Sequence, residues 1–354
     1  MVPERHVLVV FGATGDLAHR KVLPSLFQLN RLGAAKDRSI ILGVARAPLD
    51  DDKFRAMVRE SLLKQKVPAL EADEWLTRVF FQSLGDQSAY AYEALRRRIE
   101  ALETMHNLYQ HRIFYLALPL PAFTPTINAF AQANLHQSKG WTRLVVEKPF
   151  GHDLGSAKSL NALIHRYFDE SSVFRLDHYL GKDSVQNLLA FRFGNALWEP
   201  LWNRDRIQQV EITVAEELGV EARGSFYEQA GAVRDVLQNH VLQLLALTAM
   251  EPPSTLTGTA VANEKIKVLD SIAPLTPGDF VLGQYGPGEV NEQKLNGYRE
   301  EPGVNPESRV ETFAAVRLHL NTWRWQGVPF FLRTGKRLKK KVSRIVVTFR
   351  QPPS

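Results

Sequence analysis

The sequence predicts an α/β protein in which a doubly wound, Rossmann-like parallel sheet precedes an α+β domain with a mainly antiparallel sheet. Over the first half, short β-branched runs alternate with longer amphipathic stretches, as strands and crossover helices do. A glycine-rich turn follows the first run, which is typical of a nucleotide-binding sheet. After Tyr179 the regular alternation of strands and helices ends, and strands are joined by loops rich in Gly, Pro and Asn. This pattern favours antiparallel pairing.

Six short apolar runs predict the strands of the first sheet. They lie at residues 7–11, 40–44, 79–82, 112–116, 144–147 and 173–176. Between them, apolar residues recur every three or four positions at 54–65, 90–105 and 157–167, which predicts helices. Because six strands in this rhythm fill a doubly wound sheet, residues 1–177 are predicted to form a nucleotide-binding domain.

Residues 178–354 are predicted to form a second domain for the substrate and for dimerisation. A helix at 184–191 precedes a strand at 208–215, and a long apolar helix at 231–250 stops at Pro252-Pro253. Beyond that helix we expect strands at 313–320, 330–332 and 345–349, joined by loops.

The composition excludes several classes of protein. With 354 residues, 44% of them hydrophobic and 23% charged, the chain has room for two cores and resembles neither a disordered nor a membrane protein. It has no run of 18 apolar residues and no secretory signal, so we expect it in the cytoplasm and not at a membrane. The absence of cysteine excludes disulfides and thiolate chemistry.

The net charge of +6 is compatible with nucleic acid or with anionic metabolites as partners. Basic residues are scattered except at 336–341, and aromatic residues do not alternate with them as a single-strand binding groove requires. We therefore expect no nucleic acid, because an acidic small substrate or cofactor explains the same charge.

The turn after the first strand predicts a dinucleotide site. It reads Gly12-Ala13-Thr14-Gly15-Asp16-Leu17-Ala18 and opens a helical stretch. Its glycines allow a tight turn and close approach of a pyrophosphate, which the amides at the helix N-terminus would face. An ordinary strand-to-helix turn is the alternative for the motif alone, but its place after the first of six strands favours the cofactor.

The end of the second strand indicates which cofactor binds. NAD sites usually place Asp or Glu there, whereas this chain has Arg46, a guanidinium suited to a 2′-phosphate. The sequence thus favours NADP, with NAD as a weaker alternative. A solvent-facing arginine is the other interpretation, and Lys53 and Arg55 are nearby competitors for the role.

Lys148 lies at the end of the fifth strand, within Glu147-Lys148-Pro149-Phe150-Gly151. A lysine at the carboxyl end of a parallel strand points into the crevice where ligands bind, and the proline restricts the backbone beside it. A structural ion pair at the strand end is the alternative.

Chemically versatile residues cluster in two further segments. RLDHYLGKD at 175–183 places a carboxylate, an imidazole, a phenol and an ammonium around a glycine, either as a polar turn or as a catalytic loop. The long helix carries Asp235 and His240 on an otherwise apolar surface, which suggests a pocket wall, although a lone buried histidine is more often structural. Glu216 and Lys336 add charges near strand ends.

Together these segments resemble one family, the glucose-6-phosphate dehydrogenases. The resemblance rests on GATGDLAHRK at 12–21, EKPFG at 147–151, RLDHYLGKD at 175–183, AGAVRDVLQNHVLQLLALTAMEPP at 230–253 and FLRTGK at 331–336, in the family's order. RLDHYLGK is highly specific, and EKPFG is less so because other sugar dehydrogenases share its Glu-Lys-Pro element.

The resemblance implies oxidation of D-glucose 6-phosphate to 6-phosphoglucono-1,5-lactone with NADP and without a metal, the first step of the oxidative pentose phosphate pathway. His240 would be the general base, and Asp177 would hold its imidazole. The implied sugar-phosphate residues are His178, Tyr179, Lys182, Lys21 and Lys341, and the implied contacts to sugar hydroxyls are Glu216, Asp235 and Lys336. Lys148 would bridge substrate and cofactor, and the cofactor would also meet the turn from Gly12 to Leu17, Arg46 and Tyr115.

Two features depart from the family's pattern. His19 stands where the family has a lysine near the phosphates, which should matter little. Family members also continue well beyond residue 354, so we expect the second domain to be incomplete here, and a homodimer or homotetramer at the full family length.

Two other functions stay open on the sequence alone. An NADP-dependent sugar oxidoreductase of the glucose-fructose oxidoreductase type would share the first domain and Glu-Lys-Pro but would not require the phosphate-binding residues. An inactive nucleotide-binding fragment is the other alternative.

Overall fold

The chain folds into two compact units, the first ending at Leu176 and the second beginning at Asp177. A computed structural model describes residues 4–34, 38–290 and 293–352. Each unit has apolar clusters of its own. Among the described residues, no helix combines the length and the apolar character needed to cross a bilayer.

The first unit is built on a six-stranded sheet. Its strands are β1 (His6–Phe11), β2 (Ser39–Ala45), β3 (Val79–Ser83), β4 (Arg112–Leu116), β5 (Thr142–Val146) and β6 (Val173–Arg175). They lie in the order β3-β2-β1-β4-β5-β6, and every neighbouring pair is parallel. This is the order of a doubly wound dinucleotide-binding sheet, so the predicted fold class is confirmed for this unit.

Helices pack on both faces of this sheet. They are α1 (Leu23–Arg31), α2 (Asp51–Lys64), α3 (Ala69–Leu76), α4 (Ala89–His106), α5 (Phe123–Gln132) and α6 (Leu154–His165). Val7 and Val9 of β1 belong to one apolar cluster together with residues of α4. Leu8 and Val10 belong to a second cluster together with residues of α2. Because successive strand residues point to opposite faces, β1 is covered on both sides, as a parallel sheet requires.

The starts of three of these helices carry side-chain caps. The carboxylate of Asp50 accepts from the amide of Lys53 at the start of α2, and Ser88 accepts from Ala91 at the start of α4. Asp153 begins α6 with a reciprocal capping box. Each cap satisfies an amide that the helix itself leaves unpaired, which explains why these helices begin where they do.

The second unit has a mixed, mainly antiparallel sheet, as predicted. Its strands are β7 (Ile207–Ala215), β8 (Phe280–Gly283), β9 (Gly288–Val290), β10 (Gln293–Leu295), β11 (Phe313–Leu318), β12 (Phe330–Gly335) and β13 (Val342–Phe349). Five of them form a sheet in the order β13-β7-β12-β11-β8, while β9 and β10 pair with each other. Only the β7–β12 pair of the five-stranded sheet is parallel.

The helices of the second unit are α7 (Asp183–Phe193), α8 (Gly224–Ala232), α9 (Leu242–Ala249) and α10 (Gly258–Asp270). A π-helical segment, Val233–Val241, joins α8 to α9. The predicted helix at 231–250 is therefore the later part of a longer helical run that turns sharply at Gly231, where φ is 64°.

The expectation that only strands and loops follow Pro253 is wrong, because α10 lies there. Its apolar signal is weak: Val268 is buried, but Ile266 is 53% exposed. A helix that buries so little of its surface leaves little periodicity to find in the sequence.

Candidate active site

A buried carboxylate and imidazole form the centre of the candidate site in the second unit. Nδ1 of His240 lies 2.6 Å from Oδ1 of Asp177, and the side chains are only 3% and 10% exposed. The amide of Tyr179 donates to the same carboxylate oxygen at 2.9 Å. Burial alone would raise the pKa of Asp177, but the hydrogen bond and charge of His240 outweigh it and the pKa is lowered. The carboxylate therefore stays ionised beside the imidazole.

The aromatic ring of Tyr179 contacts both His240 and a lysine. It stacks on the His240 ring with centroids 4.3 Å apart and an interplanar angle of 18°. On Tyr179, the ammonium nitrogen of Lys182 lies 3.4 Å from the ring centroid, within cation–π distance. The exposed ring of His178 lies 4.4 Å from that of His240. Three side chains of the RLDHYLGKD segment, Asp177, His178 and Tyr179, thus lie against one imidazole.

The helix that carries His240 has an unusual local geometry. Its π-helical turns bond each amide to the fifth residue back, and such turns are frequent at functional sites. A wider turn brings Asp235 and His240, five residues apart, closer to one face than an α-helix would. Both residues are buried.

Glu311 fixes the start of this π-helical segment. Its Oε1 accepts from the amide of Val233 at 3.0 Å, and its carbonyl accepts from Ala232 at 2.9 Å. Gly231 has a φ of 64°, and a Cβ there would lie 2.3 Å from Oε1 of Glu311, so glycine is favoured at this position. Sequence reasoning missed Glu311, because nothing in the sequence links it to a helix 78 positions away.

Glu216 and Lys336 form an ion pair where two parallel strands end. Gly335 of β12 pairs in register with Ala215 of β7, which places the two following side chains together. The ammonium of Lys336 donates to Oε2 of Glu216 and is itself only 8% exposed. The two predicted charges near strand ends therefore meet, 120 positions apart in sequence.

Lys341 is not part of this ion pair. It is exposed and directly precedes β13. Within the described part of the chain, no hydrogen bond or ion pair is seen for its side chain. A residue that sequence reasoning missed, Ser343 on β13, lies 3.4 Å from the phenol oxygen of Tyr179.

In the first unit, the glycine turn has the geometry that the motif predicts. Gly12 has a φ of +76°, and the amide of Gly15 donates to its carbonyl at 2.9 Å. A Cβ on Gly12 would lie 2.3 Å from the carbonyl oxygen of Ala117, so no other residue fits. Ala13 is buried and Thr14 half-buried, whereas Gly15, Asp16 and Leu17 are exposed before the helical turn Ala18–Val22, which carries the exposed Lys21.

Arg46 follows β2 and is exposed. Its two competitors have other partners: Lys53 pairs with Asp50 at 3.6 Å, and Arg55 donates to the carbonyl of Val79 at 2.8 Å. A guanidinium at the end of β2, together with this glycine turn, fits a nicotinamide dinucleotide.

Tyr115 is held by a neighbouring carboxylate. Its phenol donates to Oε1 of Glu147 at 2.5 Å, and burial, with this carboxylate, raises its pKa well above the usual value. Lys148 is half-buried directly after Glu147. Sequence reasoning assigned no role to Glu147, although the Glu-Lys-Pro element contains it.

The fold and the site define a nicotinamide-dependent dehydrogenase: a doubly wound sheet with a dinucleotide turn, and a buried carboxylate–imidazole pair in a second unit. Two family models match the chain. Residues 9–187 match "Glucose-6-phosphate dehydrogenase, NAD binding domain", and residues 189–354 match "Glucose-6-phosphate dehydrogenase, C-terminal domain". The chain belongs to the glucose-6-phosphate dehydrogenase family.

Individual relatives agree with this assignment. A glucose-6-phosphate 1-dehydrogenase from Mycolicibacterium smegmatis is 46% identical over 98% of this chain and 70% of its own length. One from Aggregatibacter actinomycetemcomitans is 42% identical over 100% of this chain and 73% of its own. A solved glucose-6-phosphate dehydrogenase in complex with glucose 6-phosphate superposes with a TM-score of 0.93 at 37% identity, covering 100% of this chain and 73% of that chain.

Proposed function

We propose that this chain oxidises D-glucose 6-phosphate at its anomeric carbon to 6-phosphoglucono-1,5-lactone and transfers the hydride to NADP. The observation that carries this proposal is the buried Asp177–His240 pair at 2.6 Å, beside the Tyr179 ring and the ammonium of Lys182. A base next to a cationic pocket is what oxidation of a phosphorylated sugar alcohol requires.

His240 acts as the general base. Asp177 accepts a hydrogen bond from Nδ1–H of His240, which selects the tautomer whose basic atom is Nε2. That nitrogen takes the proton of the anomeric hydroxyl. A nicotinamide cofactor would supply the acceptor for the hydride of the anomeric C–H bond. Asp177 then stabilises the imidazolium that forms.

The substrate's phosphate binds to His178, Tyr179 and Lys182, with Lys21 and Lys341 as further cationic contacts. Imidazole, phenol and ammonium groups are the donors that a phosphate dianion needs. Glu216, Asp235 and Lys336 bind the sugar hydroxyls, for which the oriented Glu216–Lys336 ion pair offers both an acceptor and a donor.

The cofactor binds at the turn from Gly12 to Leu17, with Arg46 on the 2′-phosphate and Tyr115 and Lys148 on the nicotinamide side. Support for NADP over NAD comes from Arg46, which is exposed while Lys53 and Arg55 have other partners. The first unit thus serves as the NADP-binding domain and the second unit as the substrate domain. A cytoplasmic location and a homodimeric or homotetrameric assembly stay predictions.

The test is an assay of NADP reduction by the purified chain. We expect reduction that depends on glucose 6-phosphate, with much lower activity on glucose and weaker activity with NAD. Equal activity on both sugars would overturn the phosphate assignment and favour an oxidoreductase of the glucose-fructose oxidoreductase type. No turnover from a folded chain that binds NADP would favour an inactive nucleotide-binding protein.

A further inference from the structure

The helical segment that carries Asp235 and His240 is capped by a residue from elsewhere in the chain. At Gly231 the backbone turns with a φ of 64°, so the residues after it start a new helical run. A glycine has no side chain that could accept from the amides of the first turn, which a helix leaves unpaired. Glu311 supplies that acceptor from 78 positions away, because its Oε1 accepts from the amide of Val233 at 3.0 Å.

The main chain of Glu311 holds the same turn. Its carbonyl accepts from the amide of Ala232 at 2.9 Å. The carboxylate carbon and both carboxylate oxygens would lie between 2.3 and 2.8 Å from a Cβ on Gly231. The carboxylate thus occupies the space that a side chain at Gly231 would take. Two hydrogen bonds and this close contact fix Glu311 against the first turn.

The residue after Glu311 connects the same turn to the Glu216–Lys336 ion pair. Thr312 is fully buried, and its carbonyl accepts from the amide of Lys336 at 2.9 Å, which extends the pairing of β11 with β12 by one residue. The amide of Glu216 donates in turn to the carbonyl of Gly335 at 2.9 Å. Glu311 and Thr312 therefore link the start of the π-helical segment to the ion pair through hydrogen bonds of the main chain.

We propose that Glu311 is a positioning residue of the candidate site, whose carboxylate anchors the first turn of the π-helical segment and thereby keeps His240 against Asp177. The inference deepens the proposed function and rests on it, since it takes His240 as the base. The carboxylate of Glu311 is engaged by the amide of Val233, so it acts through the helix.

The position of His240 depends on the first turn because the two belong to one helical segment. This segment has nine residues, Val233–Val241, and His240 lies near its end. Asp177 belongs to a different stretch of the chain, before α7, so a shift of the helix changes the 2.6 Å distance between the imidazole and the carboxylate. A misplacement of about 1 Å can lower turnover by as much as a hundredfold.

The test separates the reach of the Glu311 carboxylate from its charge. Glu311→Gln keeps the length and an acceptor oxygen but removes the charge, whereas Glu311→Asp keeps the charge but is one methylene shorter. Glu307→Asp, at an exposed position in the loop before β11, is the matched control. For Glu311→Asp we expect kcat with glucose 6-phosphate to fall about tenfold and KM for NADP to stay unchanged, because the cofactor turn is untouched. Glu311→Gln should retain most of the wild-type kcat.

Kinetics of Glu311→Asp that match those of Glu307→Asp would overturn the proposal, as would a Glu311→Gln variant as impaired as Glu311→Asp. A double variant tests whether the effect passes through the base. In the His240→Asn background, Glu311→Asp should cause less than about a twofold further loss, because the side chain that it positions is already gone. A further loss as large as in the wild-type background would mean that Glu311 acts elsewhere.

A spectroscopic measurement requires no turnover. Proton NMR can follow the low-field resonance of the Nδ1 proton that His240 donates to Asp177. We expect this resonance in the wild type and in Glu311→Gln, and we expect it to move upfield or broaden in Glu311→Asp, since the hydrogen bond is then weakened. An unchanged resonance in Glu311→Asp would overturn the inference. An inactive wild-type chain would instead remove the proposed function, while the effect of Glu311 on the Asp177–His240 hydrogen bond would still be measured.

Discussion

The two units build their predicted sites in different ways. In the first, the turn after β1 depends on backbone geometry: Gly12 has a φ of +76° and no room for a Cβ. In the second, side chains converge from distant positions, with Asp177 and His240 63 residues apart and Glu216 and Lys336 120 residues apart. The difference teaches that the glycine turn depends on its backbone conformation, whereas the substrate side depends on individual side-chain atoms.

The largest effect should come from the base itself. His240→Asn is expected to lower kcat by on the order of a hundredfold or more while changing KM for glucose 6-phosphate little, because proton transfer is lost and binding is kept. Steady-state kinetics with a His152→Asn control, at an exposed position, measure this. Near-normal turnover of His240→Asn would mean that His240 is not the base, and the contrast between the two units would then be wrong.

A smaller effect should follow removal of the ammonium on the Tyr179 ring. Lys182→Ala is expected to raise KM for glucose 6-phosphate about tenfold or more and to leave the weak activity on glucose nearly unchanged, since only the phosphorylated sugar uses the charge. Lys267→Ala is the control for an exposed lysine. Parallel losses on both sugars would remove Lys182 from the phosphate site.

On the coenzyme side, a single side chain should have an asymmetric effect. Arg46→Ala is expected to raise KM for NADP by roughly five- to tenfold and to leave NAD nearly unaffected, because only NADP carries the 2′-phosphate. Lys53→Ala, which removes a lysine paired with Asp50, is the matched control. Equal losses with both coenzymes would indicate that Arg46 supports the fold instead.

The smallest effect concerns stability and pH. The pKa of Asp177 lies below its ordinary value of 3.8, so its ionised form stabilises the fold above that pH, and the stabilisation is lost as pH falls through the lowered pKa. The difference in urea midpoint between wild type and Asp177→Asn should therefore shrink from about pH 7 to about pH 3. The exposed Asp205→Asn change should show little difference at any pH. A gap between wild type and Asp177→Asn that widens on acidification would contradict this sign.

The two units differ in how much of them could be predicted from the sequence, because the first depends more on local sequence and the second more on tertiary contacts. The strands of the first sheet are predictable because burial on both faces leaves continuous apolar runs, as in β1. Local motifs drew attention to Asp177, His240 and Lys148 as candidates, and the structure brings Asp177 and His240 together. The ion pair of Glu216 with Lys336 and the contact of Glu311 with Val233 depend on tertiary pairing, which a linear pattern does not contain.

The helix α10 shows most clearly where prediction from the sequence fails. It buries little apolar surface, so its periodicity is weak, and the prediction placed loops and strands there.

The central claim is that the imidazole of His240, held by Asp177, removes the proton of the substrate. Chemical rescue tests it most directly: His240→Ala is assayed for NADP reduction at saturating glucose 6-phosphate with and without added imidazole. We expect very low turnover that rises with the concentration of neutral imidazole, because a free base replaces the missing side chain. A folded variant whose turnover is near normal without imidazole, or that does not respond to imidazole while binding both substrates normally, would contradict the account.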